Sequence, residues 1–114
     1  MTETPFQYFS GLMHRVRRRS VYKKMDFDID KEFLVELYKK QKGMCAISNE
    51  PMTMVRGEGD IYENMSIDRI DNSKGYIKTN IRLVCRAVNH MRADMSDDEL
   101  HLWCRKISNN LDDL

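Results

Sequence analysis

Side chains that could bind cations and phosphate are concentrated between residues 66 and 92. This region contains the segments SIDRID (66–71), KGY (74–76) and NIRLVCRAVNHMR (80–92), and it carries more polar groups than its turns require. Carboxylate and amide oxygens are hard ligands that suit Mg²⁺ or Mn²⁺. Guanidinium groups bind phosphate through charge-assisted hydrogen bonds. This region is therefore the most informative part of the chain for function.

The ordered set S-x-D-R-I-D, G-Y, N-x-x-L-V-C and N-x-M-R resembles the HNH endonuclease family, in the branch found in phage and bacterial genomes. A D-F-D-I segment, a helix ending near Gly43 and a capped terminal helix extend the resemblance over most of residues 25–108. No single element is as specific as the ordered set. The resemblance implies a ββα-metal site, in which two short strands and a helix hold one divalent cation against the scissile phosphate.

The resemblance also implies which residues bind that cation. The aspartate of the family's first strand matches Asp68, and the His or Asn of its helix matches Asn89, 21 residues later. Two protein oxygen ligands leave positions around Mg²⁺ or Mn²⁺ for water and phosphate oxygens. We therefore expect an open metal site and not a closed cage.

Two further positions match the family. Asn80 matches the middle asparagine, whose amide would brace the loop that carries the general base, although such a residue can also cap local backbone groups at a strand edge. Arg92 matches the Lys or Arg that follows the metal ligand. It lies three residues after Asn89, on the same helix face, where it could bind phosphate or form an exposed salt bridge.

Arg69 departs from the family, because it stands where a histidine would deprotonate the attacking water. Arginine stays protonated in proteins and is not a conventional base. Either the cation acidifies water sufficiently, with Arg69 stabilising the transition state, or a base approaches from elsewhere, namely His90, His14 or Asp71. His90 is expected to point away, since it is about 100° around the helix from Asn89. The third possibility is a fold retained without hydrolysis, in which Arg69 contacts phosphate or forms a buried ion pair.

Charge is unevenly distributed along the chain. Residues 1–24 carry six Lys or Arg and one acidic residue, whereas residues 93–114 carry two basic and six acidic residues. Such asymmetry favours a polyanion at the basic end. The predicted DNA-binding residues are Arg15, Arg18, Arg19, Lys23, Lys24 and Arg92.

Periodicity and capping indicate the elements that would position these residues. Residues 1–24 are predicted to form a basic helix packed on an HNH-like domain at 25–114. Asp30 should cap a second helix, 44–55 and 66–84 should each form a hairpin, and 86–92 should form a helix. A capping box from Ser96 to Glu99 begins a terminal helix. This helix is predicted to pack through Leu100, Trp103, Cys104 and Ile107.

The chain has 114 residues, 41% of them apolar and 32% charged, which suits one folded domain. The predicted class is α+β: a small single domain with a ββα-metal core, short β-hairpins, an N-terminal basic helix and a C-terminal packing helix. No apolar run approaches a membrane span, and the start lacks the layout of a secretory signal. We therefore expect a cytoplasmic protein without a membrane partner, in a bacterial host if it is phage-encoded. We expect no structural zinc, because neither Cys45 nor Cys85 belongs to a CxxC pair.

The resulting expectation is an HNH-like DNA endonuclease that depends on Mg²⁺ or Mn²⁺ and nicks double-stranded or branched DNA. Its catalytic residues would be Asp68, Arg69 and Asn80, with the metal bound by Asp68 and Asn89. The alternative is a non-cleaving module of the same fold that binds DNA or a host protein, a phage regulator without the general base. Cleavage of RNA stays open, because the phosphate chemistry is shared, and the oligomeric state is left open.

Overall fold

Four helices and one two-stranded sheet make up the described part of this small α+β chain. The computed structural model describes residues 5–57 and 59–113, with side chains from residue 7 onward. In chain order the elements are α1 (Pro5–Lys23), α2 (Lys31–Lys40), β1 (Met65–Arg69), β2 (Ile81–Cys85), α3 (Arg86–Arg92) and α4 (Asp97–Asp112). A 3₁₀ turn (Lys78–Asn80) leads into β2. The predicted α+β class is confirmed.

The hairpin β1–β2 and the helix α3 form the centre of the molecule. The strands pair antiparallel, with Asp68 opposite Arg82 and Ser66 opposite Val84. Alternate residues of a strand share one face, so Ser66 and Asp68 point to the same side of the sheet. Since α3 follows β2 immediately and its side chains reach both residues, α3 packs on this face.

Helix α1 completes the same hydrophobic core. Tyr8, Phe9, Leu12 and Met13 are buried, at the three- and four-residue spacing of one helix face. Phe9 is fully buried and meets Tyr38 of α2 edge to face, with ring centroids 6.1 Å apart. Burying a side chain of this size stabilises the fold by about 2 kcal/mol. The basic helix is therefore part of the folded core and not an appended arm.

The predicted caps and turns explain how the loops are fixed. Asp30 caps α2 by accepting a 2.7 Å hydrogen bond from the backbone of Phe33, as expected. Gly75 lies against another segment so closely that a Cβ atom would stand 2.2 Å from the carbonyl oxygen of Asp26. The next residue, Tyr76, donates its backbone N–H to that same oxygen at 3.0 Å. The G-Y pair is therefore a packing requirement of the loop before β2.

Two element predictions are wrong in part. The hairpin expected at 44–55 is reduced to single bridges, Met44 with Pro51 and Thr53 with Asn64, because the Asn64 side chain satisfies the backbone of Val55. Helix α4 has the predicted capping box but packs only through its N-terminal half, where Cys104 is partly buried. Leu100 is buried, whereas Trp103 and Ile107 are each more than half exposed.

None of the helices described here has both the length and the apolar character that a membrane crossing requires.

Candidate functional site

A polar cleft lies between α1, β1 and α3. It has a volume of about 520 Å³, and its lining includes Asp68, Arg69, Asn89 and His90 on one side and Arg19 of α1 on the other. The cleft brings together Asp68 and Asn89, the two residues predicted to bind the cation. It also places a cation from the basic helix beside them.

Asp68 is buried between two arginines. Its Oδ2 accepts a 2.7 Å hydrogen bond from Nε of Arg82, the residue opposite it in the sheet. Its Oδ1 accepts a 2.7 Å hydrogen bond from Nη2 of Arg92 on α3. The carboxylate therefore joins β1, β2 and α3 through paired charges.

Arg82 extends this network to α4. Its two terminal nitrogens donate to both carboxylate oxygens of Asp97, at 2.8 and 2.7 Å. The hydrogen bond to Asp97 and, against the opposing effect of burial, the one to Asp68 raise the pKa of Arg82 above its ordinary value. Arg82 consequently stays charged and anchors the start of α4 beside the site.

Asn89 is held by Ser66, which lies two residues before Asp68 on β1. Its Nδ2 donates a 2.6 Å hydrogen bond to Oγ of Ser66. Its Oδ1 accepts no hydrogen bond from any residue that the structure describes, and it is available as a ligand. Asn89 and Arg92 lie three residues apart on α3. Asn89 hydrogen-bonds Ser66, and Arg92 hydrogen-bonds Asp68.

The donor set fits a hard divalent cation. A carboxylate offers about four lone-pair positions, and each Asp68 oxygen uses one for an arginine, so both oxygens retain acceptor capacity. Among residues 5–57 and 59–113, no cluster of three or more His, Cys, Asp or Glu could hold a metal ion, so the candidate ligands are this carboxylate and the Asn89 amide. The two guanidinium groups repel a further positive charge. A cation bound here would therefore be held weakly.

The position of Arg92 corrects its expected role as a DNA contact. Its side chain is 2% exposed, whereas a phosphate contact must reach solvent. It donates to Asp68, to the carbonyl oxygens of Met95 and Arg69, and weakly to Asn72. Arg92 therefore ties α3 to the end of β1 and the following loop.

Asn80 has the bracing contacts expected of it. It is buried, and its Oδ1 accepts the backbone N–H of Asp71 at 2.8 Å. Its Nδ2 donates to the carbonyl oxygens of Asp71 and Gly75, at 3.0 and 2.9 Å. One amide thus holds both ends of the loop 71–75, which borders the cleft.

Arg69 holds the same loop from the other side. Its Nη1 donates to the carbonyl oxygens of Asn72 and Lys74, at 3.0 and 3.1 Å. Its guanidinium carbon lies 5.4 Å from the centre of the Tyr76 ring, a cation–π distance. Arg69 lines the cleft, and one of its terminal nitrogens, Nη1, is engaged by these carbonyl groups.

The candidate bases differ in position. His90 is exposed and lines the cleft together with Asn89. His14 lies instead at a shallow depression near the end of α1. Asp71 lies outside the cleft lining, and hydrogen bonds from the Ser73 side chain and backbone lower its pKa, which makes it a weaker base.

The predicted basic residues of α1 divide into two groups. Arg15 and Arg19 are one helical turn apart and line clefts beside Asn89. Arg18, Lys23 and Lys24 are exposed but do not line these clefts. The first pair is therefore placed to contact a molecule at the site, whereas the exposed Arg18, Lys23 and Lys24 stay predicted DNA contacts outside it.

Cys45 and Cys85 lie together beneath the sheet. The Cys45 sulfur accepts backbone N–H groups from Ser48 and Cys85, at 3.4 and 3.3 Å. Burial raises the pKa of the Cys45 thiol, but hydrogen bonds from Ser48 and Cys85 outweigh it and lower the net value. Burial and the neighbouring Cys45 raise the pKa of Cys85 to about 11. The pair packs the base of the hairpin.

Sequence reasoning missed three polar residues of the site. Arg82 could have been found from the hairpin register, which places it directly opposite Asp68. Arg86 and Ser66 line the cleft next to Arg15. Ser66 begins the S-x-D-R-I-D motif but was given no role there, and Arg86 has no sequence signal of its own.

Comparisons with known proteins show an HNH-like fold. The solved structure of the rare-cutting HNH restriction endonuclease PacI superposes with a TM-score of 0.63 over 89% of this chain and 77% of that one, at 16% sequence identity. No protein-family model matches the chain.

Two curated viral proteins are similar in sequence. An uncharacterized 29.0 kDa protein from the dda-modA intergenic region of Enterobacteria phage T4 is 36% identical over 75 residues, which cover 66% of this chain and 28% of that protein. An uncharacterized protein of Acanthamoeba polyphaga mimivirus is 27% identical over 101 residues, 89% of this chain and 17% of that protein. The chain therefore spans less than a third of either relative.

Proposed function

We propose that this chain is an endonuclease that hydrolyses phosphodiester bonds in DNA with a divalent cation, cutting one strand at a time. The observation that carries the proposal is the meeting of Asp68 and Asn89 in one cleft, with Arg19 on the opposite wall. Hard oxygen ligands beside a guanidinium group suit a phosphate and its cation. The likeness to an HNH restriction endonuclease supports DNA as the substrate, and the viral relatives support a bacteriophage source.

Each residue of the cleft has a proposed role. Asp68 and Asn89 would hold Mg²⁺ or Mn²⁺, which polarises a phosphate and makes a nearby water more acidic. Arg19 would donate hydrogen bonds to phosphate oxygens and stabilise the charge that develops on them. Asn80 and Arg69 act as positioning residues, because they fix the loop 71–75 beside the cleft.

His90 is the candidate for contact with the attacking water or the leaving oxygen. Of the chain's three histidines, it is the one that lines the cleft with Asn89. We expect His90→Ala to lower the cutting rate by about 10²-fold, the typical effect of losing a proton-transfer group. His14→Ala and His101→Ala are matched controls and should cut at the wild-type rate. Equal rates in all three variants would remove His90 from the mechanism.

The central test is conversion of supercoiled plasmid to the nicked form in Mg²⁺ or Mn²⁺. Asn89→Ala removes the free amide oxygen and should reduce nicking at least 10²-fold, because the cation then loses one of two protein ligands. Ser66→Ala is the matched control, since it breaks the same Asn89 hydrogen bond and keeps the ligand. Its rate should fall less than tenfold. Nicking by Asn89→Ala at the wild-type rate would contradict the site.

A second function is favoured by the two arginines on Asp68. Their hydrogen bonds occupy both carboxylate oxygens, an arrangement that suits a structural ion pair and a DNA-binding module without cleavage. The same plasmid assay separates the two functions. Metal-independent binding without nicking, at any Mg²⁺ or Mn²⁺ concentration tested, would favour the module.

A further inference from the structure

The candidate cleft is one end of a longer groove. A second cleft, of about 420 Å³, shares Arg19, Asn89 and His90 with it. A third, of about 460 Å³, shares Tyr8, Arg15 and Arg86 with the second. Clefts that share lining residues adjoin one another. The three therefore lie in a row along α1, and we call this row of clefts the α1 groove.

Helix α1 forms one wall of the α1 groove along its whole length. Tyr8 lies at the third cleft, Arg15 at the second and Arg19 at the first. The helical rise from Tyr8 to Arg19 is about 16 Å. The opposite wall consists of β1, the start of α3 and the loop around Arg56. The groove is thus open along a line that starts at the candidate site.

The charge of the groove changes along that line. The first cleft is mixed, because Asp68 and Asp94 line it together with Arg19 and Arg69. The second and third clefts are lined by Arg15, Arg86 and Arg56, and their described linings contain no Asp or Glu. A lining rich in guanidinium groups attracts an extended anion.

Arg86 can exchange its present partner for a ligand. Its Nη2 is 2.8 Å from Oδ1 of Asp60, whose side chain is 67% exposed. Exposed ion pairs of this kind contribute little, typically below about 1 kcal/mol, because water and salt screen them. A phosphate that carries a full charge into the groove can therefore compete with Asp60.

We infer that the α1 groove binds the backbone of one DNA strand on one side of the scissile bond, with Arg86 and Arg56 contacting the phosphates farthest from the candidate site. The inference rests on the proposed endonuclease function, because that function defines which bond is the scissile one. The groove is about 16 Å long, which corresponds to a few consecutive phosphates of one strand. Arg86 and Arg56 thereby extend the binding surface beyond the basic helix.

The first test measures affinity without cleavage, by fluorescence anisotropy of a labelled duplex in the absence of divalent cations. The double variant Arg56→Ala/Arg86→Ala should bind about tenfold more weakly at low salt. The slope of log affinity against log salt should fall in magnitude by about 2, because two phosphate contacts are lost. The control Lys39→Ala/Lys40→Ala removes the same charge from α2, which does not line the groove, and should change affinity less than twofold.

The second test locates the contacts on the DNA. The cut position is mapped first, and uncharged methylphosphonate linkages are then placed at successive positions 5′ or 3′ of it. Neutral linkages should weaken wild-type binding on one side only, over a few consecutive positions. The Arg56→Ala/Arg86→Ala variant should be insensitive to the outermost of these linkages, while its response near the cut position stays that of the wild type.

The outcomes separate the groove from the nuclease. Equal affinity of the arginine variant and the lysine control would overturn the groove, as would symmetric interference around the cut position. The groove would also be overturned if the arginine variant lost binding to RNA but not to DNA of the same sequence. Arg56→Ala alone, checked by circular dichroism, guards against misfolding of the double variant and should lower the salt slope by about 1. Binding that depends on both arginines, with no plasmid nicking, would contradict the proposed function and leave the groove standing.

Discussion

At the scale of single residues, Asp68 has two roles that mutagenesis must separate, namely cation binding and neutralisation of a buried arginine. The same carboxylate that would bind a cation neutralises Arg92, which is 2% exposed. We expect Asp68→Ala to lower the free energy of unfolding by about 3–5 kcal/mol, because it leaves a buried guanidinium without its counter-charge. Urea denaturation followed by circular dichroism measures this loss, with Asn89→Ala as the reference at the same cleft. A loss below about 1 kcal/mol would mean that the ion pair is not structural.

Arg69 is the residue whose expected behaviour the structure changes most. From the family pattern, Arg69→His should restore a base and raise a slow cutting rate. In the fold, Arg69 donates to two carbonyl groups of the loop and lies against Tyr76, contacts that an imidazole cannot reproduce together.

We therefore expect Arg69→His to cut more slowly than the wild type and to speed hydrogen exchange of the Tyr76 amide. Arg69→Lys should recover part of the cutting rate, since an ammonium group can still donate to the loop carbonyls. A faster rate in Arg69→His, with unchanged exchange at Tyr76, would restore the missing-base interpretation.

At the scale of elements, α4 is fastened at one end. Its first turn holds Arg82 through Asp97, and Leu100 is buried, while the apolar stripe beyond it is exposed. The hydrogen bond from Arg82, against a smaller effect of burial, lowers the pKa of Asp97. A carboxylate whose pKa is lower in the folded chain than in the unfolded chain stabilises the fold. This contribution is fully present at pH values above the unfolded-state pKa of about 3.9. It disappears as the pH falls through the folded-state pKa.

Asp97→Asn should therefore reduce stability by about 1 kcal/mol at pH 7, the magnitude expected of a largely exposed ion pair with good geometry. The reduction should shrink to zero as the solution is acidified through the lowered pKa of folded Asp97, because the wild-type carboxylate is then protonated as well. Asp98→Asn is the matched control, because it removes the same charge from the same turn of α4. Thermal unfolding at a series of pH values measures both, and a pH-independent difference between Asp97→Asn and wild type would contradict the pairing.

Elements with a local chemical cause could be predicted from the sequence. The Asp30 cap, the Ser96 capping box and the second hairpin all depend on neighbouring residues, and each forms. The first hairpin failed because the Asn64 side chain, about ten residues away, takes the backbone partners of Val55. The exposure of Trp103 could not be predicted either. Helical periodicity identifies an apolar stripe but does not show which other element covers it.

The same limit applies to the candidate site. The motif order brought Asp68, Asn80 and Asn89 to the correct elements, because a short hairpin followed directly by a helix allows few arrangements. It could not show that Arg92 turns inward, since position i+3 on a helix face is compatible with both solvent and a buried carboxylate. Charges that come from distant parts of the chain, such as Arg19 opposite Asn89, became visible only with the packing of α1.

At the scale of the whole molecule, cation binding and folding are linked, because the site requires β1 and α3 to be packed together. A cation that binds only the folded chain stabilises it by about 1.4 kcal/mol at a tenfold excess over its dissociation constant. For a chain of this size that raises Tm by roughly 5 °C.

Since two guanidinium groups oppose binding, we expect the rise to need millimolar Mg²⁺ or Mn²⁺ in a thermal-shift titration. Asn89→Ala should abolish the rise in Tm. Asn89→Asp should produce the rise at lower cation concentrations, because a second carboxylate offsets the charge of the arginines and can accept a hydrogen bond from Ser66. A rise of equal size in the wild type and Asn89→Ala would place the cation elsewhere.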